Sequence, residues 1–188
     1  MTGSQKYGVI LADPPWLYSN WGAGAGNVHT RTRGAAKHYP AMSVKQLAAL
    51  PIASLAEDRC ALFLWVTWPQ IENGLQLIKD WGFTYKTLAW EWIKLSKNGR
   101  PAVGMGYYTR GNAEPCLLAF RGKPIPPAVR NISAVLLSPR RQHSQKPEQQ
   151  YENIELLYPG LAKIELFARE RHPGWHVWGN DVDSDIEM

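Results

Sequence analysis

The sequence predicts an α/β protein built on a mostly parallel sheet with helices on both faces. Short apolar runs of strand length alternate with amphipathic stretches of helix length along the 188 residues. No run approaches the ~18–20 apolar residues that span a bilayer, and residues 1–8 have no stretch of signal-peptide type. We expect one cytoplasmic domain over residues 1–180, followed by an acidic, disordered tail at 181–188.

The alternation begins with the apolar run Tyr7–Ala12, which predicts a buried strand. The strand must end at the prolines 14 and 15, because proline lacks an N–H donor and keeps the preceding residue extended. Residues 19–41 are rich in Gly, Ala, Asn, His and Arg without periodicity, which predicts a loop that is functional or disordered. Ser43 and Gln46 have capping-box spacing and predict a short helix to about residue 50.

From residue 60 onward the same alternation continues, interrupted by a Gly-rich loop at residues 96–111. Helix Thr67–Trp81 has apolar side chains on one face and ends at Gly82. A second helix is predicted from Pro147 to Tyr158. The predicted strands are Cys60–Val66, Phe83–Lys94, Pro115–Phe120, Ala134–Ser138, Leu161–Arg169 and Trp175–Trp178.

The distribution of charge and the positions of the two cysteines limit the classes of function that this chain can have. The net charge is +5, and the basic residues cluster at 29–38, 94–110 and 121–146. Basic loops indicate a polyanionic partner, although solvated loops would give the same pattern. Cys60 and Cys116 lie in apolar runs, which predicts buried thiols rather than a disulfide. No His and Cys spacing is typical of a metal site, so we expect no metal.

The segment Asp13-Pro14-Pro15-Trp16, here called the DPPW motif, stands where a buried strand ends. Open α/β sheets bind ligands at the carboxyl ends of their strands. The Asp13 carboxylate and the Pro14 carbonyl offer two acceptors for a substrate amine, and Trp16 offers a flat face for a base, with stacking worth roughly 1–3 kcal/mol. The alternative is a plain turn after a strand.

This set of groups suits methyl transfer to the exocyclic N6 amine of adenine. The nitrogen lone pair is delocalised into the ring, so the amine is a poor nucleophile. Two acceptors on its N–H groups favour a pyramidal nitrogen whose lone pair can attack, and a carboxylate balances the positive charge that develops there. The methyl group of a sulfonium is electrophilic enough to need no metal.

Further motifs resemble, in order, the family named for the 70-kDa methyltransferase A subunit of messenger-RNA adenine methylation. They are Val9–Trp16, Leu62–Val66, His143–Pro147, Lys163–Arg169 and Trp178–Asn180, and the resemblance covers residues 7–181. It implies a Rossmann-like class I methyltransferase fold of permuted order, with the catalytic motif before the cofactor motif. It also implies S-adenosylmethionine as the cofactor and adenine N6 as the target.

The resemblance assigns roles to individual residues. The DPPW motif residues Asp13, Pro14, Pro15 and Trp16 would be catalytic. The cofactor would contact Asp13, Lys146, Glu165, Arg169, His172, Asn180 and Asp181, with Arg171 a weaker candidate. The substrate would contact Trp16, Tyr39, Glu114 and Lys146.

Four of these residues have plain alternatives, and for Tyr39 and Glu114 the alternative is a merely structural role. Without the resemblance, Lys146 would be interpreted as a surface lysine. Glu165 lies in the middle of a predicted strand, where a charge needs a partner. We expect its carboxylate to accept from a ribose hydroxyl or to pair with Arg169, and the alternative is an edge-strand carboxylate that faces water.

The resemblance leaves the polymer open. DNA is favoured because short relatives of this type are prokaryotic DNA modifiers, with RNA as the alternative substrate. A non-catalytic nucleic-acid-binding subunit and a small-molecule amine methyltransferase are further alternatives. The chain has only twelve residues before Asp13, so we expect the upstream acidic cofactor contact of longer relatives to be missing. Target recognition would come from loops 19–41 and 95–111, or from a second subunit in a homodimer or a mixed complex.

Overall fold

The computed structural model describes residues 5–17, 41–104, 106, 108–140 and 145–188. Within them, the strands are β1 (Tyr7–Ala12), β2 (Ala56–Trp65), β3 (Thr84–Leu95), β4 (Ala113–Arg121), β5 (Val135–Pro139), β6 (Lys163–Leu166) and β7 (His176–Trp178). The α-helices are α1 (Val44–Ala48), α2 (Ile52–Leu55), α3 (Ile71–Asp80) and α4 (Gln149–Leu157). The predicted α/β class is confirmed.

The strands form one sheet in the order β5-β3-β4-β2-β1-β6-β7. Four neighbouring pairs are parallel, namely β1 with β2, β1 with β6, β6 with β7, and β3 with β5. Strand β4 is antiparallel to both of its neighbours, β2 and β3. All strands of this sheet except β4 therefore run in one direction and end at the same edge of the sheet, called here the carboxyl edge.

Strand β1 lies inside the sheet between β2 and β6 and is buried on both faces. Ile10 and Ala12 belong to the core that β1 shares with helices α1, α2 and α3. Val9 and Leu11 belong to the opposite core, to which α4 contributes Ile154. The alternation follows from the two-residue period of a strand, and it confirms the predicted helices on both faces.

The first helices show where proline sets the boundaries. The predicted capping box is present, since the Ser43 amide donates to Gln46 Oε1 at 2.9 Å and the Gln46 amide donates to Ser43 Oγ at 3.3 Å. Pro51 separates α1 from α2, a short helix that the periodicity does not predict. The predicted helix Thr67–Trp81 divides into a 3-10 turn, Trp68–Gln70, and α3, with a proline inside the turn.

The C-terminal segment 181–188 differs from the disordered tail that its acidic composition predicts. The Asp185 amide donates to the Val177 carbonyl at 2.9 Å, and the Asp185 carboxylate accepts from the Val177 amide at 2.8 Å. The Arg171 guanidinium contacts the same carboxylate at 2.9 Å. Strand β7 is an edge strand, so its outward backbone groups need partners. The segment supplies them, and Ile186 and Met188 pack against the core.

Two further expectations are answered by the described residues. Cys60 and Cys116 are both buried free thiols, as predicted. Among the described residues, no helix combines the length and the apolar character needed to cross a membrane. The permuted order of the motifs, compared with other methyltransferases, stays a prediction.

The contacts of Asp185 predict that Asp185→Ala destabilises the protein by about 1 kcal/mol, because the Val177 amide and Arg171 lose their acceptor. Urea unfolding at neutral pH measures the change.

Asp183→Ala is the matched control, since Asp183 is exposed and contributes its main-chain carbonyl, not its side chain, to Arg171. We expect it to change the stability by less than about 0.5 kcal/mol. Equal stability of both variants and the wild type would show that the tail contacts do not hold the edge of β7.

Candidate active site

The predicted catalytic residue Asp13 lies at the carboxyl edge, directly after the central strand β1. Leu11 of β1 is in register with Glu165 of β6 on one side and with Phe63 of β2 on the other. The end of β2 and the turn that follows β6 therefore flank Asp13. A cleft of about 410 Å³ opens here, lined by Leu11, Asp13, Trp65, Gln145, Lys146, Gln150, Tyr151, Glu165, Phe167, Arg169 and Glu170.

Lys146 lines this cleft at the carboxyl edge, and its side chain is only 7% exposed. Its Nζ lies 2.6 Å from Asp13 Oδ2 and 3.5 Å from Glu114 Oε2. It also lies 5.5 Å from the centre of the Trp65 ring. The alternative of a surface lysine is therefore wrong, and the structure brings Asp13, Glu114 and Lys146 together as the resemblance implies.

The electrostatics of this group are balanced. Lys94 of β3 also pairs with the Glu114 carboxylate, so two ammonium groups face two carboxylates. Burial raises the pKa of Glu114, but Lys146 and Lys94 outweigh it and hold that pKa below its usual value. Burial alone would lower the pKa of Lys146. The carboxylates of Asp13 and Glu114 outweigh burial and raise this pKa above its usual value. Lys146 therefore stays protonated.

Glu165 is a different kind of carboxylate. Burial raises its pKa to about 8, with the Tyr151 hydrogen bond opposing and Asp13 adding to the rise. The Tyr151 hydroxyl lies 3.1 Å from Glu165 Oε1 and 3.0 Å from Oε2. Strand β6 lies between β1 and β7, so the alternative of a water-facing edge carboxylate is wrong. The hydrogen-bond partner among the described residues is Tyr151, and not Arg169 as expected.

A second cleft of about 420 Å³ adjoins the first and shares Asp13, Phe167 and Arg169 with it. Its other lining residues are Pro15, Met42, Trp178, Gly179 and Asn180. Phe167 has the left-handed backbone angle φ 62°. A Cβ at Gly179 would lie 2.2 Å from the Ala168 carbonyl oxygen, so this approach admits only glycine.

The residues of the two clefts fit an S-adenosylmethionine. Carboxylates at Asp13 and Glu165 suit a cationic ligand with hydroxyl groups, and the guanidinium of Arg169 suits its carboxylate. Gly179, where the backbone passes close to Ala168, lines the second cleft together with Asn180. Predicted cofactor residues Asp13, Lys146, Glu165, Arg169 and Asn180 all line these clefts.

The remaining predicted cofactor residues line neither cleft. The His172 ring stacks on Tyr151 with centroids 3.5 Å apart, and its Nε2 lies 3.7 Å from carboxylates of Glu148 and Glu170. Arg171 turns to the C-terminal segment and binds Asp185. Asp181 is exposed beyond the second cleft. Tyr39, the predicted substrate contact, lies outside the described residues.

Trp16 is placed differently from the open stacking face that the sequence suggests. It is only 7% exposed and belongs to the core on the α1–α3 side. Its indole Nε1 donates to the Trp65 carbonyl at 3.4 Å. In this conformation Trp16 anchors the DPPW motif, because its large ring is buried with the core rather than facing the clefts.

Backbone contacts fix the rest of the motif. The Pro14 carbonyl accepts from the Trp16 amide at 2.9 Å, and the Pro15 carbonyl accepts from the Met42 amide at 2.8 Å. The Met42 carbonyl accepts from the Leu17 amide at 3.1 Å. A carbonyl oxygen has two lone pairs, so Pro14 keeps one for a substrate amine.

Sequence reasoning missed several cleft residues, namely Trp65, Gln150, Tyr151 and Phe167. Gln150 is buried and accepts from the Trp65 indole at 2.7 Å, which fixes the ring beneath Lys146. One signal could have found Gln150 and Tyr151: they begin the helix immediately after Lys146.

The high pKa of Glu165 predicts the pH dependence of stability. The folded protein holds this proton up to about pH 8, whereas the ordinary pKa is 4.5. The free energy of unfolding attributable to Glu165 therefore falls as pH rises through this interval. Glu165→Gln should flatten the curve between pH 5 and 8, measured by urea unfolding at a series of pH values.

The control is Glu72→Gln, an exposed acid in the first turn of α3. Glu114 does not confuse the test, since its pKa is lowered and its titration lies below this interval. The same slope in wild type and Glu165→Gln would show that the Glu165 carboxyl ionises at its ordinary pH.

Comparison with known proteins gives an independent result. Residues 7–181 match the family model MT-A70. The type II methyltransferase M.MunI of a Mycoplasma species is 37% identical over 196 aligned residues, which cover 98% of this chain and 82% of that protein.

Two longer relatives are also similar. The N(6)-adenosine-methyltransferase MT-A70-like protein of Drosophila melanogaster is 31% identical and the human N(6)-adenosine-methyltransferase catalytic subunit METTL3 is 30% identical. These matches cover 97% and 95% of this chain but 28% of each relative, so the chain spans about a quarter of their length. The chain belongs to the MT-A70 family of S-adenosylmethionine-dependent methyltransferases.

Proposed function

We propose that this methyltransferase transfers a methyl group to the N6 amine of adenine in DNA, with Asp13 as the residue that holds the amine. The observation that carries the proposal is the position of Asp13. Its carboxylate lines both clefts and is held at 2.6 Å by the buried ammonium of Lys146. A fixed carboxylate between a cofactor cleft and an open edge is what amine alkylation requires.

S-adenosylmethionine supplies the electrophilic methyl group. Arg169 would bind its carboxylate, Glu165 would accept from a hydroxyl or face its positive charge, and Asn180 would contact it from the second cleft. Glu165 also offers the acidic contact that longer relatives take from an upstream strand. The charge of the cofactor would favour ionised Glu165, which Tyr151 already orients.

Asp13 and Pro14 then act on the amine. The carboxylate would accept one N6–H and the Pro14 carbonyl the other, so that the nitrogen lone pair is released from the ring. That lone pair would form the new N–C bond while the sulfur–methyl bond of the sulfonium breaks, and its electron pair would stay on sulfur in a neutral thioether. The nitrogen gains positive charge, which the Asp13 carboxylate stabilises. One N6 proton must leave afterwards, and Asp13 is the base in contact with it.

DNA is favoured over RNA as the polymer. The relative that matches over most of its own length is a type II methyltransferase, an enzyme of DNA, whereas the adenosine methyltransferases of RNA are several times longer. RNA stays the alternative because those relatives share the whole matched region. The paired Asp13 and Lys146 favour an enzyme over a non-catalytic subunit. A cytoplasmic location is part of the same proposal, and so is recognition of the target through loops 19–41 and 95–111 or through a second subunit.

The proposal predicts that Asp13→Asn loses at least about 100-fold in the rate of methyl transfer, because the amine loses its charged acceptor. Cofactor affinity, measured by calorimetry, should change much less. Asp58→Asn is the control, since Asp58 is an exposed residue at the opposite end of β2. Full activity of Asp13→Asn would contradict the role assigned to Asp13.

The choice of polymer is tested by supplying labelled S-adenosylmethionine with single-stranded and duplex DNA and RNA. We expect label on DNA, at N6 of adenine by nucleoside analysis, and rates that fall with salt as phosphate contacts weaken. Label on RNA alone would select the alternative. Transfer to neither polymer, by folded protein that binds the cofactor, would contradict both.

A further inference from the structure

Trp68 is unlike the other tryptophans that the structure describes. It is 54% exposed, whereas the rest are buried or half-buried. In the described part of the chain, no other ring packs on its face. More than half of the residue is accessible to solvent, so core packing accounts for less than half of its surface.

Its location is the carboxyl edge, next to the DPPW motif. Trp68 begins the 3-10 turn that follows β2, the strand beside β1. In the same turn, the side-chain Nε2 of Gln70 donates to the Leu17 carbonyl at 3.3 Å, and Leu17 directly follows the motif. The turn that carries Trp68 is therefore joined to the chain that carries Asp13.

The ring is held in a defined orientation. Its Nε1 donates to Glu91 Oε1 of β3 at 2.9 Å. Burial raises the pKa of Glu91, and this hydrogen bond opposes the rise. The next residue is Pro69, which restricts the backbone. An indole fixed at its nitrogen and backbone loses little freedom when a ligand stacks on its face.

The surroundings of this edge suit a polyanion. Exposed basic side chains follow the carboxyl ends of β3 and β5: Lys97, Arg100, Arg110 and Arg140. The Arg140 guanidinium donates to the Val103 carbonyl at 2.9 Å and its amide donates to the Leu95 carbonyl at 3.3 Å. These two hydrogen bonds join the end of β5 to the end of β3 and to the loop that follows it. The charges of the four basic side chains therefore lie on one side of the sheet.

We propose that Trp68 stacks on an unpaired base next to the target adenine and so positions the strand at Asp13. The inference rests on the proposed function and adds the contact that Trp16, being buried, does not provide. An adenine reaches such a site only when it is flipped or single-stranded. Stacking on an indole tolerates any neighbouring base, because every base has a π-face.

The test compares Trp68→Ala and Trp68→Phe with single-stranded oligonucleotides that contain one adenine. Trp68→Ala should raise the KM and the Kd for the oligonucleotide on the order of tenfold. The Kd for S-adenosylmethionine and the slope of log Kd against log salt should stay unchanged, because no phosphate contact is lost. Trp68→Phe should recover most of the affinity, since it keeps a ring and loses only the bond to Glu91.

The control is Tyr85→Ala, an exposed aromatic near the start of β3 and therefore remote from the carboxyl edge. Unchanged affinity in Trp68→Ala overturns the proposal. Equal losses in Trp68→Ala and Trp68→Phe also overturn it, because they assign the effect to the Glu91 bond. A wild type that binds oligonucleotides but transfers no methyl group would contradict the proposed function, while the binding comparison would still decide the role of Trp68.

Discussion

The candidate site depends on the buried charge group of Asp13, Lys94, Glu114 and Lys146. Two ammonium groups and two carboxylates cancel, and each comes from a different element of the fold. Removing one partner from such a group leaves a buried charge uncompensated, at a cost of about 3–5 kcal/mol. The group therefore constrains the ends of β1 and β3, the beginning of β4 and the segment before α4 to meet at one place. The ammonium of Lys146 also keeps the Asp13 carboxylate oriented before any substrate binds.

The two acids of the first cleft, Asp13 and Glu165, have opposite surroundings. Asp13 has an ammonium at 2.6 Å, whereas Glu165 is held by a neutral phenol and has a pKa of about 8. Near neutral pH the Glu165 carboxyl carries a proton most of the time. The same cleft thus contains one carboxylate that is paired with an ammonium and one carboxyl group whose ionisation a bound cation would favour.

Local patterns predicted most of the fold. The apolar runs located each strand within a few residues, and the Ser43–Gln46 spacing located a helix start, because burial and capping act on neighbouring residues. Long-range contacts were harder. The partner of Glu165 is Tyr151, and the phenol gives no sequence signal of that role. The burial of Trp16 and the ordering of the acidic tail depend on surfaces formed by distant segments.

The reversed direction of β4 has a consequence for variation. Because β4 alone runs against its neighbours, its beginning rather than its end lies at the carboxyl edge, and Glu114 stands there. The chain has already crossed the Gly-rich segment 96–111 when it reaches Glu114. That segment can lengthen, shorten or exchange residues while both of its anchors, Lys94 and Glu114, remain paired. Changes in that segment would thus leave the charge group of Asp13, Lys94, Glu114 and Lys146 undisturbed.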